Sequence, residues 1–431
     1  MNLPLPTVAH PALSAKLDHC VMCGMCSQHC PTYLLTADEN ESPRGRIALI
    51  SAFLSGQLTA DARLQSHLDH CTGCRACEAY CPSEVAFGAI MDEARALLPK
   101  TSPPAPHISA ATGRWLRLYQ RSGLQKLLRG SGMLRPLGLA HKEGLLPVIP
   151  RLDAWQSYYP PTPGAAPLGD VGLFTGCIAN VFDREALDAS RRLLNALGYG
   201  VHVPPRQGCC GAMALHSGQP EEAARLAQEN IRAFAEHELL AIVHTASGCT
   251  AQLSEYPLLP EDPHQDADAG HAFAAKTFAA KTFAAKIRDI SQFLSEAPWP
   301  AELQAAALTK TVALHTPCSL NNVLHQADVP RRLLQRIPKL EIAPLAQNPR
   351  CCGGGGQYLL EQVEFSRQLR ERTLDNIDSQ MPIDLLATSN LGCALQLAAG
   401  LRDRGQAIDV IHPVVLLARQ LGLIQDRDRP E

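Results

Sequence analysis

The sequence predicts a mixed fold of the α+β and α/β classes, in which a small α-helical N-terminal domain is followed by two duplicated α/β domains. Three observations predict it: closely spaced cysteines near the N-terminus, a second cysteine pattern that occurs twice further on, and short apolar runs that alternate with amphipathic helices. We expect the N-terminal domain over residues 1–100, a helical connecting region over 101–168, and the α/β domains over 169–300 and 308–425.

Composition narrows the class of protein. The chain has 431 residues, 46% of them hydrophobic, which is enough for two or three domains with cores of their own. Its 39 Lys and Arg nearly balance its 42 Asp and Glu and are scattered, which argues against a nucleic-acid groove or a polybasic membrane anchor. No apolar run approaches the length of about 20 residues that a spanning helix needs, and no hydrophobic leader is evident. We therefore expect a soluble, cytoplasmic protein that binds no nucleic acid.

The N-terminal cysteines repeat one motif, C-x-x-C-x-x-C-x-x-x-C-P. Its first copy is Cys20, Cys23, Cys26, Cys30 and Pro31, and its second copy is Cys71, Cys74, Cys77, Cys81 and Pro82. Three thiolates spaced in this way on a tight loop reach three corners of one iron–sulfur cube, and the fourth is directed toward the partner cluster. The motif predicts two [4Fe–4S] clusters of the ferredoxin type, one on Cys20, Cys23, Cys26 and Cys81 and the other on Cys71, Cys74, Cys77 and Cys30. Structural zinc sites, the alternative, usually show two separated C-x-x-C pairs.

Charged and aromatic side chains near these motifs are candidates for tuning the clusters. Arg44 and Arg46 are candidates for stabilising the reduced clusters or for contacting an acidic partner, with solvent-exposed loop charges as the alternative. His19, His29 and His70 lie next to predicted ligands and are candidates for hydrogen bonds that tune the potential or for proton uptake. Ordinary surface or packing histidines are the alternative for these three.

The other eight cysteines form a second repeat, in which a single cysteine, a Cys-Cys-Gly triplet and a last cysteine follow one another. They are Cys177, Cys209, Cys210 and Cys249 in the first copy, and Cys318, Cys351, Cys352 and Cys393 in the second. Most of them follow short apolar runs that predict buried parallel strands, so their thiols should meet beyond the carboxyl ends of a sheet. We expect these cysteines to hold further iron–sulfur clusters. A metal-free redox dithiol and buried structural cysteines are the alternatives.

Three other segments carry structural expectations. Residues 272–286 repeat Phe-Ala-Ala-Lys-Thr and predict a surface helix without chemistry. Residues 410–423 predict an amphipathic helix that packs on the last domain. The run Gly353 to Gly356 follows the paired cysteines and predicts a backbone turn, and no G-x-G-x-x-G motif for a dinucleotide stands between a strand and a helix.

The order of these motifs resembles the iron–sulfur subunit family of bacterial glycolate oxidase along nearly the whole chain. Residues 43–46 (P-R-G-R), 207–211, 245–249, 351–353 and 392–393 carry the resemblance beside the N-terminal motifs. It implies an electron-transfer subunit that is not catalytic alone and whose partners are FAD-binding dehydrogenase subunits. FAD on a partner would oxidise a 2-hydroxy acid such as glycolate to the 2-oxo acid glyoxylate, and the clusters would pass the electrons to a membrane quinone or another acceptor. The complex would then hold the chain at the inner face of the cell membrane.

The resemblance leaves other functions open. The same Cys-Cys-Gly module occurs in heterodisulfide reductases, in the iron–sulfur subunit of anaerobic glycerol-3-phosphate dehydrogenase and in lactate-utilisation proteins. Disulfide reduction at this module, electron transfer for a D-lactate or glycerol-3-phosphate dehydrogenase, and a non-catalytic scaffold or redox sensor are therefore alternatives. Heterodisulfide reductases end each repeat in C-x-x-C, whereas this chain has a single Cys249 or Cys393 there, so each repeat has one thiol fewer.

Overall fold

The computed structural model describes residues 10–99, 108–259, 270–343, 345, 350–378 and 382–425. Within them it confirms the predicted fold class: helices alone in the N-terminal domain, and two α/β domains that repeat one topology. After the Cys-Cys-Gly triplet that each contains, we call residues 169–300 the first CCG domain and residues 308–425 the second CCG domain. Among the residues described, no helix is long and apolar enough to cross a membrane.

The N-terminal domain is a small helical unit built around the two cysteine loops. Its helices are α1 (Pro11–Asp18), α2 (Pro31–Thr36), α3 (Pro43–Leu54), α4 (Ala62–Asp69), α5 (Ala76–Ala79) and α6 (Phe87–Leu97). Proline begins α1, α2 and α3, where its missing N–H has no intrahelical partner to lose. The Ser42 hydroxyl caps α3 by accepting the Gly45 N–H at 2.9 Å. Apolar faces of α1, α3, α4 and α6 form one core, and partly buried cysteines border it.

The connecting region contains α7 (Ala110–Arg121), α8 (Leu124–Ser131), α9 (Ala140–Gly144) and the two-residue strand β1 (Tyr158–Tyr159). Gly123, at a φ of +78°, separates α7 from α8. β1 pairs antiparallel with a strand of the first CCG domain and forms the edge of its sheet. This strand was not predicted, because two residues are too short to show a periodic pattern.

The first CCG domain contains the strands β2 (Gly169–Leu173), β3 (Tyr199–His202), β4 (Ala241–His244) and β5 (Ile287–Asp289). Together with β1 they form a five-stranded sheet in the order β1-β3-β2-β4-β5, parallel except for β1. Its helices are α10 (Ala179–Phe182), α11 (Arg184–Leu197), α12 (Ala212–His216), α13 (Pro220–Ala235), α14 (Ser247–Ser254), α15 (Gly270–Lys286) and α16 (Ile290–Glu296).

The second CCG domain contains the strands β6 (Thr311–Leu314), β7 (Glu341–Ala343), β8 (Leu385–Ala387) and β9 (Asp409–Ile411). They form a parallel sheet in the order β7-β6-β8-β9, which repeats the order of the parallel strands in the first CCG domain. Its helices are α17 (Cys318–Asn322), α18 (Val329–Leu334), α19 (Tyr358–Glu361), α20 (Val363–Asp378), α21 (Leu391–Asp403) and α22 (Pro413–Gln420).

The register of the central strands relates the two copies residue by residue. Leu173 pairs with Val243 in the first sheet, and Leu314 pairs with Ala387 in the second. The residues that follow Leu173 and Leu314 are therefore equivalent, and so are the residues that follow Val243 and Ala387. The cysteine loops leave this same edge, where the carboxyl ends of parallel strands meet.

The prediction of a helix over residues 410–423 was wrong at its start. Val410 and Ile411 lie in strand β9, and α22 begins only at Pro413, whose fixed φ suits the first turn of a helix but not a strand interior. This helix packs against α11 of the first CCG domain as well as α18 of the second. Its buried side chains join a core to which both CCG domains contribute, so the two domains fold against each other.

The five-residue repeat forms helix α15, as predicted. A step of five residues turns the helix by roughly 140° beyond one full circle, so successive phenylalanines face different sides. Phe278 is 71% exposed, whereas Phe283 is 5% exposed and stacks on Tyr256 with ring centroids 5.5 Å apart. One phenylalanine of this pair therefore packs in the domain core and the other faces outward.

Candidate metal centres

The thiols of Cys30, Cys71, Cys74 and Cys77, the second N-terminal set, lie together inside the molecule. Cys30, Cys74 and Cys77 are buried. Burial raises the pKa of Cys77 well above its usual range, and the neighbouring thiols of Cys74, Cys71 and Cys30 raise it further. The Cys77 sulfur thus has the other three members of its predicted set around it.

The thiols of Cys20, Cys23, Cys26 and Cys81, the first N-terminal set, lie nearer the surface. Cys23 is exposed, and the other three are partly buried beside the same helical core. Burial raises the pKa of Cys26, and the thiols of Cys20 and Cys30 add to this. Gly24 holds the loop in a left-handed turn with a φ of +82°, and a Cβ atom there would lie 2.3 Å from the Arg44 guanidinium.

Arg46 is a buried cation beside a predicted ligand. Its side chain is 1% exposed and donates to Glu41 Oε2 at 2.5 Å. Its Nη1 lies 3.2 Å from Thr32 Oγ1 and 4.0 Å from Cys30 Sγ. A fixed positive charge next to a predicted sulfur ligand would stabilise negative charge there, and the role of Arg46 in stabilising a reduced cluster stays a prediction.

Arg44 is a partly exposed side chain that pairs with Glu39, and its Nη1 also donates to the Met22 carbonyl oxygen in the first cysteine loop at 3.3 Å. Two of the candidate histidines also have structural partners. His29 stacks on Tyr80 with ring centroids 3.4 Å apart, and His70 Nδ1 lies 2.8 Å from Glu41 Oε1. The acceptor of the Arg46 network, Glu41, was missed by the sequence analysis because nothing near it in the sequence marks a carboxylate that becomes buried.

The four thiols of the first CCG domain form one group at the edge of its sheet. A hydrogen bond with Cys209 raises the pKa of Cys177, and hydrogen bonds with Cys209 and Cys249 raise the pKa of Cys210. A hydrogen bond from Cys210, helped by His244, lowers the pKa of Cys249 to about 6. These contacts connect all four predicted ligands of this copy.

The second CCG domain assembles its thiols in the same way. A hydrogen bond with Cys318 raises the pKa of Cys351, and one with Cys393 raises the pKa of Cys352. Asn390 Nδ2 donates to Cys393 Sγ at 3.4 Å. The last cysteine of each copy is the one whose thiolate form is favoured, since a hydrogen bond from Cys352 also lowers the pKa of Cys393.

A close backbone approach holds the two loops of this second group together. A Cβ atom on Gly392 would lie 2.0 Å from the carbonyl oxygen of Gly354, so no larger residue fits at position 392 without a shift of the backbone. The run Gly353 to Gly356 thus serves as the predicted turn, which brings the paired cysteines against the loop of Cys393.

A contact that crosses domains connects the N-terminal domain to the second CCG domain. A hydrogen bond with the Cys351 thiol raises the pKa of Cys74 well above its usual range. Asn322 Nδ2 donates to the carbonyl oxygen of Cys74 at 2.7 Å and holds this loop in place. Arg75 forms an ion pair with Glu255 of the first CCG domain. A cavity of about 1010 Å³ opens between the three domains, lined by thiols from all of them.

The chemistry of these donors fits iron–sulfur clusters. All sixteen cysteines are free thiols, and the two CCG sets and the set around Cys77 each bring their sulfur donors close together. Grouped buried thiols oppose one another's ionisation, whereas a coordinated metal ion deprotonates them outright. Thiolate groups of this kind select iron–sulfur clusters or zinc, and the tandem N-terminal spacing favours iron.

Fold and donor set define the class: an iron–sulfur protein with a two-cluster N-terminal domain and two cysteine-rich domains. Three family models match the chain accordingly. A 4Fe-4S dicluster domain matches residues 16–85, and a cysteine-rich domain matches 171–254 and again 312–398. The linker region of the glycolate oxidase iron–sulfur subunit matches residues 104–146.

Relatives along the whole chain identify the family. The probable glycolate oxidase iron–sulfur subunit of Bacillus subtilis is 32% identical over 94% of this chain and 94% of its own length. The glycolate oxidase iron–sulfur subunit of Escherichia coli is 31% identical over 89% of this chain and 90% of its own length. This chain belongs to the family of glycolate oxidase iron–sulfur subunits.

One further relative matches part of the chain, and one solved structure shares only its fold. Lactate utilization protein A of Geobacillus kaustophilus is 32% identical over 56% of this chain and 95% of its own length. The crystal structure of a hypothetical protein from Helicobacter pylori superposes with a TM-score of 0.53 at 10% identity, over 98% of this chain and 74% of that one. The second likeness concerns the fold alone.

Proposed function

We propose that this chain is the electron-transfer subunit of a flavin-dependent 2-hydroxy acid dehydrogenase that oxidises glycolate to glyoxylate. The observation that carries the electron-transfer part of the proposal is the contact between the thiols of Cys74 and Cys351, which belong to different predicted cluster sites and line one small cavity. A protein that only needed metal for its fold has no use for two such sites side by side. A protein that passes electrons between them does, because electron transfer is faster between close centres.

The ligand sets follow from the sequence and are consistent with the grouping of thiols described above. Within the N-terminal domain, Cys20, Cys23, Cys26 and Cys81 hold one [4Fe–4S] cluster, and Cys71, Cys74, Cys77 and Cys30 hold the other. Each CCG domain holds a further iron–sulfur centre on its four cysteines. Bound clusters supply one-electron transfer, which divides the electron pair that a flavin takes from a hydroxy acid.

Side chains of this protein position the predicted cluster sites. Arg46 places a buried positive charge 4.0 Å from the Cys30 sulfur. Asn322 holds the backbone of Cys74 against the second CCG domain at 2.7 Å. The exposed Cys23 places the first N-terminal set at the surface, where electrons can be exchanged with another protein.

The organic substrate belongs on a partner. The sequence has no dinucleotide-binding motif, and its one glycine run is a turn between cysteine loops, so FAD lies on a partner dehydrogenase subunit. The electrons leave to a membrane quinone, and the complex brings this chain to the inner face of the membrane. The likeness to lactate utilization protein A makes D-lactate the second candidate substrate.

Serine substitutions test the relay. In the complex copurified under anaerobic conditions, Cys23→Ser and Cys74→Ser should abolish glycolate-driven reduction of a quinone or a dye, since a hydroxyl is a poor cluster ligand. Ser55→Ala, an exposed position at the end of α3, is the matched control and should leave the rate unchanged. Unchanged turnover in the two cysteine variants would refute the relay.

A further inference from the structure

We propose that the imidazole rings of His244 in the first CCG domain and His315 in the second are iron ligands, each beside the four cysteines of its own domain. The inference deepens the proposed function and rests on the part of it that assigns iron to the CCG thiols. It adds a nitrogen donor to each of these two centres, which the cysteine pattern alone does not contain.

His244 presents a buried nitrogen to the first group of thiols. The side chain is at the end of β4 and fully buried, and its Nδ1 lies 2.7 Å from the carbonyl oxygen of Phe174. A carbonyl oxygen only accepts, so Nδ1 carries the proton and Nε2 keeps its lone pair in the neutral ring. Nε2 is buried and has no hydrogen bond to a nitrogen or oxygen atom. The neighbour of the ring on the thiol side is Cys249, whose sulfur is close enough to interact with it.

His315 presents a buried nitrogen to the thiols of the second CCG domain. It follows β6, is 2% exposed, and has Nδ1 at 3.0 Å from Thr388 Oγ1. Its Nε2 is also buried, the Arg350 backbone lies beside the ring, and no hydrogen bond of normal geometry reaches Nε2. The ligand atoms of His315, Cys352 and Cys393 all lie within 4.8 Å of one another, as ligands of one metal centre do.

The two histidines reach equivalent places from different strands. By the strand register, His315 is equivalent to Phe174, and His244 is equivalent to Thr388. In each domain the histidine stands on one central strand, and its Nδ1 bonds to the residue in the other histidine's equivalent position. Packing alone gives no reason for two histidines that follow different strands to place a buried nitrogen near the last cysteine of each domain. A shared ligand position gives such a reason.

Nitrogen ligation has a consequence for the charge of the two centres. A neutral imidazole adds no negative charge, whereas a fifth thiolate would, so it favours a higher reduction potential than a fifth cysteine. The contact of Cys74 with Cys351 is the place where the N-terminal clusters and the second CCG centre would exchange electrons.

Pulsed EPR on the dithionite-reduced complex tests the ligation without any substitution. Protein made with histidine labelled with ¹⁵N in the imidazole ring, and natural nitrogen elsewhere, should show strong ¹⁵N coupling to the paramagnetic iron centres. Absence of histidine-derived coupling would overturn the proposal. An iron content that two [4Fe–4S] clusters fully account for would also overturn it. Zinc in place of iron in the CCG domains would do the same.

Variants assign the signal. His244→Cys and His315→Cys should each remove part of the ¹⁵N coupling and retain iron, since cysteine supplies another ligand. The matched control is His412→Asn, because both nitrogens of the buried His412 have partners, Thr245 O at 2.9 Å and the Val414 N–H at 3.2 Å. Coupling that survives in the double variant His244→Cys, His315→Cys would overturn the assignment. The reduction is by dithionite, so the result is independent of whether glycolate is the substrate, and the two proposals fail separately.

Discussion

Two arginines that lie two residues apart in the sequence have unlike surroundings in the N-terminal domain. The Arg46 guanidinium is enclosed by Glu41, Thr32 and the backbone of His67, with Nε 2.7 Å from that carbonyl oxygen. Arg44 lies at the surface beside Glu39. The pattern P-R-G-R marked both as candidates, but which one turns inward depends on the direction of α3, which the sequence alone does not specify.

This difference predicts unequal effects of substitution. We expect Arg46→Met to lower the free energy of unfolding by about 3–5 kcal/mol, because it leaves the Glu41 carboxylate buried without its cation. Arg44→Met, the control, should change it little, because an exposed pair is screened by solvent. Urea unfolding of the anaerobically purified chain measures both. Equal losses in the two variants would contradict the buried ion pair.

Among the elements, the cysteine loops were the easiest to predict from the sequence. The strand, helix end and glycine contact that surround them were the hardest. Apolar runs before the cysteines predicted β2, β4, β6 and β8, because strands buried on both faces read as continuous hydrophobic segments. The spacing of the cysteines predicted which thiols share a loop. The sequence did not predict β1, the start of α22 or the approach of Gly354 to Gly392, because each of these depends on a partner far away in the chain.

The glycine contact yields a prediction about one loop pair. Gly392→Ala places a methyl group 2.0 Å from the Gly354 carbonyl oxygen, so the backbone must move and the loop of Cys351 and Cys352 should separate from Cys393. We expect a loss of about 1–3 kcal/mol of stability and of the iron held by the second CCG domain. Gly208→Ala is the control, since it also precedes a cysteine and has nothing within 4 Å of the added Cβ. Iron analysis of the two purified variants decides; full iron in Gly392→Ala would refute the contact.

Helix α15 offers a second pair of matched variants. Phe283→Ala should cost about 3–5 kcal/mol, because it empties a space packed against Tyr256 and Phe234. Phe278→Ala removes the same group from an exposed position and should leave stability nearly unchanged. Thermal unfolding compares the two. Similar midpoints would show that the repeat does not turn its phenylalanines to different sides.

For the whole molecule, the central feature is that three domains converge on their thiols. The CCG domains share one core, and the N-terminal domain contacts both through Arg75 and the loop of Cys74. Sequence spacing assigned each cysteine to a motif, and the resemblance to the glycolate oxidase family supplied the function. Neither placed Cys74 beside Cys351, nor His244 and His315 beside the CCG thiols, because contacts between domains and between strands leave no periodic signal in one sequence.

The most direct test of the account is to follow the visible absorbance of the clusters in the anaerobic complex while glycolate, D-lactate and glycerol 3-phosphate are added in turn. The account predicts that glycolate bleaches the clusters without dithionite, and that Cys74→Ser confines the bleaching to the N-terminal domain or prevents it. If dithionite bleaches the clusters and none of these substrates does, the chain is not the electron-transfer subunit of such a dehydrogenase.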